Sequence, residues 1–258
     1  MTFWLESLSG LVVGLLVGLT GVGGGSLMTP LLTLVLGYAA PVAVGTDLAF
    51  AALTKSFGTL AHRRHGHVRW DIVRRLTLGS LPAALVAILL LKAHGGLGAG
   101  GLHFIKLAIA GSVVLTVLSL LFRATWLAAL RANPGWRLHG RALAGSTVAV
   151  GALLGALVSV SSIGAGAVGA TLILLLYPEL KPAEVAGTDI AYAMPLTAVA
   201  ALGHVWLGTV HWSLLGALLV GSLPGIWLGA NLARHLPERM VRGALAATLM
   251  LAAVRLVS

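Results

Sequence analysis

The 258-residue chain contains no cysteine, which excludes disulfides, thiolate metal sites and thiol nucleophiles. Charge is scarce as well. Asp, Glu, Lys and Arg make up 9% of the residues, against about 25% in an ordinary soluble domain. So few charges cannot cover a folded surface in water, and 58% of the chain is hydrophobic, so the solvent for most of it is the bilayer. Acidic residues are the rarest class, 7 Asp+Glu against 17 Lys+Arg, for a formal net charge of +10. A basic balance often signals nucleic acid, but here the arginines sit in short loops between apolar runs: Arg63, Arg64, Arg69, Arg74 and Arg75 in one, Arg123, Arg131, Arg137 and Arg141 in another. That is the positive-inside pattern of cytoplasmic loops, not a nucleic-acid footprint. Met1 to Leu8 holds no Lys or Arg, so the basic start of a signal peptide is missing and the first apolar segment is expected to be retained.

What the chain does have is a copy of itself. Offset by 142 residues, Gly45-Thr46-Asp47 falls on Gly187-Thr188-Asp189, His62 on His204, Trp70 on Trp212, and Gly79-Ser80-Leu81-Pro82 on Gly221-Ser222-Leu223-Pro224. Between Gly45 and Pro82, 15 of 38 positions are identical, where chance in so Leu/Ala/Gly-rich a chain gives roughly four. Upstream, Gly23-Gly24-Gly25 answers to Gly164-Ala165-Gly166, with a small insertion in the second copy. The expected architecture is an all-α polytopic membrane protein, a single membrane domain over 1–258. It comprises repeat one (1–122), a cytoplasmic linker (123–141) and repeat two (142–258), with about 8–10 hydrophobic helical segments. The second segment of each copy, 26–39 and 165–177, is short and follows a glycine break, which predicts a broken or re-entrant element.

Loop charge suggests how the copies are related. The basic loop after the third segment of copy one has an uncharged Lys/Arg-free partner at 204–211, while the loop after the fourth segment is basic only in copy two, with Arg234, Arg239 and Arg242. If Lys/Arg loops lie inside, the copies have opposite orientations, the common plan of secondary transporters with interrupted helices. Two parallel copies with accidental loop charges are the alternative.

Several residues are candidates for chemistry. Gly23, Gly24, Gly25 and Ser26 in one copy, and Ser162, Gly164 and Gly166 in the other, would leave backbone N–H groups free at the start of a half-helix, a natural anion site. Close helix packing through small residues explains the same glycines without a ligand. Thr46-Asp47 and Thr188-Asp189 are expected in the first turn of a helix, where they cap it; the other reading makes the aspartates titrating or counter-ion groups at membrane depth. Lys55 lies two turns further on, with Thr197 as its counterpart, and either snorkels to the cytoplasmic edge or supplies positive charge to an anionic substrate. His62, His65 and His67 have a spacing that can bind metal, but they lie among arginines and copy two keeps only His204, so no metal or cofactor is expected. Pro82 and Pro224 predict matching kinks, and Trp70, Trp206 and Trp212 interfacial anchors.

The run Gly21-Val-Gly-Gly-Gly-Ser-Leu-Met-Thr-Pro-Leu, then Val44-Gly-Thr-Asp-Leu-Ala-Phe-Ala-Ala-Leu-Thr-Lys-Ser-Phe-Gly, with Ala186-Gly-Thr-Asp-Ile-Ala-Tyr-Ala and the Gly-Ser-Leu-Pro-Gly run from Gly221, resembles the sulfite exporter TauE/SafE family of membrane permeases over nearly the whole chain. The resemblance implies movement of small anions, chiefly sulfite and organosulfonates, across a bacterial inner membrane, linked to an ion gradient. Ser162-Ile-Gly-Ala-Gly-Ala departs from the glycine pattern in the second copy. The expected function is therefore secondary transport of a small anion by alternating access, in contact with membrane lipid, with a proton or sodium as coupling ion and homo-oligomerisation open. A passive anion channel is the alternative. An intramembrane enzyme is disfavoured, because neither a Gly-x-Ser-x-Gly elbow nor His-Glu-x-x-His is present, and without a Walker A run the chain does not use ATP itself.

Overall fold

The computed structural model describes residues 2–20, 25–93 and 99–232. Within them the chain forms α1 (Thr2–Thr20), α2 (Gly25–Leu34), α3 (Ala40–Arg64), α4 (Trp70–Ala93), α5 (Ala99–Ala132), a 3-10 turn (Pro134–Trp136), α6 (Gly140–Ser161), α7 (Ala167–Leu176), α8 (Pro182–Trp206) and α9 (Trp212–Leu232). Five of these helices are long and apolar enough to cross a membrane. At 25 residues α3 has the length as well, but it carries Asp47 and Lys55, and it turns both inward: Asp47 is 0% and Lys55 4% exposed. The chain is thus an all-α multi-pass membrane protein. The last expected segment, 238–257, lies outside the described residues.

Boundaries follow from local chemistry. Pro41 sits in the first turn of α3 and Pro182 opens α8, where a missing N–H costs nothing. Glu184 closes the start of α8 by accepting the Lys181 N–H at 2.9 Å. Gly66 and Gly208, 142 positions apart, adopt φ of 68° and 71° in the turns leading to α4 and α9, a left-handed region that suits glycine. α5 continues to Ala132, so helix occupies much of the stretch expected as a linker.

Helix pairing rests on glycines that admit a neighbour's backbone. A Cβ on Gly10 would lie 2.5 Å from the Leu218 carbonyl and one on Gly14 2.5 Å from that of Ser222, so α1 lies directly on α9. In the same way Gly151 faces the backbone of Leu76 and Gly155 that of Ser80, setting α6 on α4. Contacts in one pair recur in the other with the halves exchanged, Leu218 answering to Leu76 and Ser222 to Ser80. Partner numbers rise together, so each pair runs parallel. α3 and α8 cross the centre antiparallel, Gly45 meeting Thr209, Gly58 meeting Ile190 and Gly187 meeting His67.

Two pairs, α1 followed by the short α2 and α6 followed by the short α7, lie beside the central helices. The turn of the second is fully described: α6 ends where Ser162 takes a left-handed conformation at φ 59°, and Gly164 and Gly166 follow at 129° and 124°. Residues 161–169 are all buried. The expected break at the second glycine cluster is therefore present and lies inside the protein. Gly23 and Gly24, at the first cluster, lie outside the described residues, on either side of which α1 ends at Thr20 and α2 begins at Gly25.

Candidate functional site

The Gly-Thr-Asp triplets do not begin helices. α3 starts at Ala40 and α8 at Pro182, which puts Asp47 and Asp189 about two turns inside each. The capping expectation is corrected accordingly. Proline and the apolar residues beside it open each helix earlier than the polar triplet suggested.

Each residue of the triplet has its own task. Glycine admits a neighbour: a Cβ on Gly45 would stand 2.6 Å from Thr209 Oγ1, and one on Gly187 2.5 Å from the His67 carbonyl oxygen. Threonine ties down the connection that follows the other central helix. The His211 N–H donates to Thr46 Oγ1 at 3.0 Å, and the Arg69 N–H to Thr188 Oγ1 at 3.1 Å. Aspartate faces the start of a short half-helix. Thr29 Oγ1, on α2, donates to Asp47 Oδ2 at 2.6 Å. Asp189 lies against the start of α7, beside the Gly166 N–H, and Gly169 has only hydrogen where a Cβ would collide with its carboxylate. The donors at the α7 N-terminus thus already face a resident carboxylate, as the helix dipole favours.

Lys55 completes the centre. Its ammonium is buried and in the field of both Asp189 and Asp47, yet it touches neither and has no hydrogen-bond partner. It does not snorkel. The same applies to four neighbours. Asp47 Oδ1, Asp189 Oδ1, Ser162 Oγ and the Tyr192 hydroxyl are buried without a partner, although Ser162 lies beside Asp47 and Tyr192 beside Asp189. Buried polar atoms are as a rule hydrogen-bonded, so five without a partner stand out.

The remaining expected residues divide. Gly25 and Ser26 open α2, and Gly164 and Gly166 shape the second turn. Nearby serines are committed: Ser159 donates to the Gly155 carbonyl at 2.8 Å, and Ser161 donates to that of Leu157 at 2.7 Å while accepting from Ser112 at 3.0 Å. Ser162 differs from them in having its hydroxyl beside Asp47 rather than on a backbone carbonyl. Thr29 and Tyr192 were not singled out from sequence. Tyr192 stands three residues after Asp189, on the same helix face, and that spacing was the available signal. His204 is structural, its ring bonded to Thr209 Oγ1 at 2.8 Å and the Ser159 carbonyl at 2.9 Å. Among the described residues no three His, Asp or Glu side chains are placed to hold a metal.

Away from the centre, Tyr38 donates to Glu6 Oε1 at 2.6 Å in the α2–α3 connection, and burial together with Glu6 pushes its hydroxyl up to about 12. Trp70, Trp206 and Trp212 are exposed, and Lys92 sits 3.2 Å above the Trp206 ring, as expected of interfacial aromatics. A cavity of about 590 Å³ opens outward between α3, α4 and α8, lined by Trp70, Arg74, Leu78, Pro82, Met194 and Pro195. It is apolar and separate from the charged centre.

A helical membrane protein whose short half-helices meet a buried ionic centre has the arrangement of a membrane transporter. The sequence profile of the family described as "Sulfite exporter TauE/SafE" matches residues 7–256, and the chain belongs to that family. It is similar to a Bacillus subtilis (strain 168) protein named "Probable membrane transporter protein YjnA", 35% identical over 254 residues, covering 97% of this chain and 98% of that one. A Xylella fastidiosa (strain Temecula1 / ATCC 700964) protein named "Probable membrane transporter protein" is 30% identical over 240 residues, covering 88% and 84%. No solved structure matches.

Proposed function

We propose that the chain is a secondary transporter of a small anion, sulfite or an organosulfonate, in a bacterial inner membrane. The anion rests between Lys55, Ser162, Tyr192 and the starts of α2 and α7, including the backbone at Gly23, Gly24, Gly25, Ser26, Gly164 and Gly166. Asp47 and Asp189 take the coupled cation, and Thr46 and Thr188 hold the central helices in register. The observation that carries this reading is the Lys55 ammonium, buried deep in the bundle without a hydrogen bond and in the field of two buried aspartates. An ammonium held at membrane depth near carboxylates, but bonded to none, keeps its donors for an oxyanion.

The centre is closed from all sides, Asp47, Lys55, Ser162, Asp189 and Tyr192 each being at most 4% exposed. That favours a carrier over an open pore. Access requires the two halves, with opposite orientations in the membrane, to rock about the centre so that it opens to one side at a time. The exchanged contacts of α1 with α9 and of α6 with α4 supply the two rigid edges for such a motion.

A panel of sulfite, sulfate, thiosulfate, sulfoacetate and taurine tested for thermal stabilisation of purified protein checks the reading. Saturable stabilisation by a sulfite or sulfonate supports it, and no response to any of the five contradicts it.

A further inference from the structure

We infer that the centre carries monovalent anions only, each together with one proton, so that the loaded and the empty protein are both electrically neutral inside the membrane. This deepens the proposed anion transport and rests on it.

The inference follows from a count of charges. Among the described residues the buried centre contains one ammonium, Lys55, and two carboxylates, Asp47 and Asp189. Among the described residues the packed elements add no further charge to it; Glu6 on α1 is buried but accepts from the Tyr38 hydroxyl in the α2–α3 connection. On the packed elements, α2, α7 and α9 have no titratable residue; α6 has only Arg141, which is exposed; α5 has exposed His103 and Lys106, with Arg123 and Arg131 towards its far end. On α4, Asp71, Arg74, Arg75 and Lys92 lie at the helix ends. In α3 the other charges, His62, Arg63 and Arg64, are in the last turn, and in α8 Glu184 is in the first. His204 has both ring nitrogens bonded.

Fully ionised, the centre has a charge of −1. An unbalanced charge in lipid is expensive, so the empty carrier crosses with one proton on one carboxylate. Two atoms are free to take it, Asp47 Oδ1 and Asp189 Oδ1. An entering monoanion restores the deficit, and a second proton, on the other carboxylate, cancels it. In that state the ammonium of Lys55, the hydroxyls of Ser162 and Tyr192 and the two protonated carboxyls are the donors available to an oxyanion. On release, anion and proton leave together and the carrier returns with the proton it started with. A dianion has no such solution. With both carboxylates already protonated it leaves the centre at −1, so sulfate and the sulfite dianion are excluded while hydrogen sulfite and alkanesulfonates are accepted.

The test uses the full chain in proteoliposomes, with labelled methanesulfonate as the monovalent probe, labelled sulfate as the divalent one, and the membrane potential clamped with potassium and valinomycin. With the outside one pH unit more acidic, methanesulfonate should accumulate about tenfold at zero potential. Changing the clamped potential should not alter its rate, and sulfate should stay out. The Asp47→Asn/Asp189→Asn double variant, checked for folding by thermal melt, should lose proton-driven accumulation, because its empty form is left charged and cannot return. Potential-driven methanesulfonate uptake, or sulfate uptake at a comparable rate, would overturn the inference and leave anion transport standing. If neither probe moves or binds, the anion reading itself fails, and this inference with it.

Discussion

The backbone N–H of Arg69 ends on the hydroxyl of Thr188, 3.1 Å away and on the opposite half of the chain. Its counterpart, His211 N–H on Thr46 at 3.0 Å, lies at the other end of the α3–α8 pair, with both residues displaced by the same 142 positions. These two bonds pin the turns that follow α3 and α8. Replacing either threonine by valine keeps the shape and removes the acceptor, so Thr46→Val and Thr188→Val should each lower stability by about 0.5–1.5 kcal/mol, the net worth of a partly buried hydrogen bond. Thermal melts in detergent check this; melting temperatures equal to the parent's would show that water or another group takes over the N–H.

Glycine substitutions should separate contact glycines from open ones. Gly79 and Gly221 face the backbones of Val148 and Ser7 so closely that a Cβ has nowhere to go, whereas Gly111 and Gly216 have nothing within 4 Å. Gly79→Ala and Gly221→Ala should therefore destabilise by at least about 1–3 kcal/mol through forced separation of the paired helices. Gly111→Ala and Gly216→Ala should be neutral or stabilising by about 0.5–1 kcal/mol. Equal effects at all four positions would mean that the helices are not packed in this way.

Sidedness follows from the basic turn between α3 and α4. Reporter enzymes fused after Gly66 should be active only in the cytoplasm, and those fused after His94 or Gly208 only outside. A cytoplasmic Gly208 fusion would mean that the two halves share one orientation and would remove the rocking motion proposed above.

Much of the architecture was legible because the repeat announced it. Short segments after glycine clusters predicted interrupted helices, and Ser162, Gly164 and Gly166 have the positive φ angles that such an interruption needs. The Asp47 and Asp189 environment was harder to read. Local chemistry suggested caps, and only tertiary packing reveals that each aspartate serves a half-helix from a different part of the chain, Asp47 meeting Thr29 and Asp189 meeting the start of α7. Propensity speaks about a residue's own helix and is silent about a neighbour's. Lys55 was balanced between snorkelling and a buried role; its burial decides for the latter, because α3 turns that face toward α8. Tyr192 could have been found from its spacing to Asp189, whereas nothing local to Thr29 singled it out.

Lys55 offers the most direct test. In proteoliposomes, Lys55→Gln should reduce proton-driven uptake of labelled methanesulfonate by at least about tenfold, the loss of one charge-assisted contact to the anion. A thermal melt should show the variant folded; with Lys55 gone the centre loses the positive charge that balances its carboxylates, so some loss of stability is expected. Uptake at the parent rate in a folded Lys55→Gln protein would contradict an anion site at this centre.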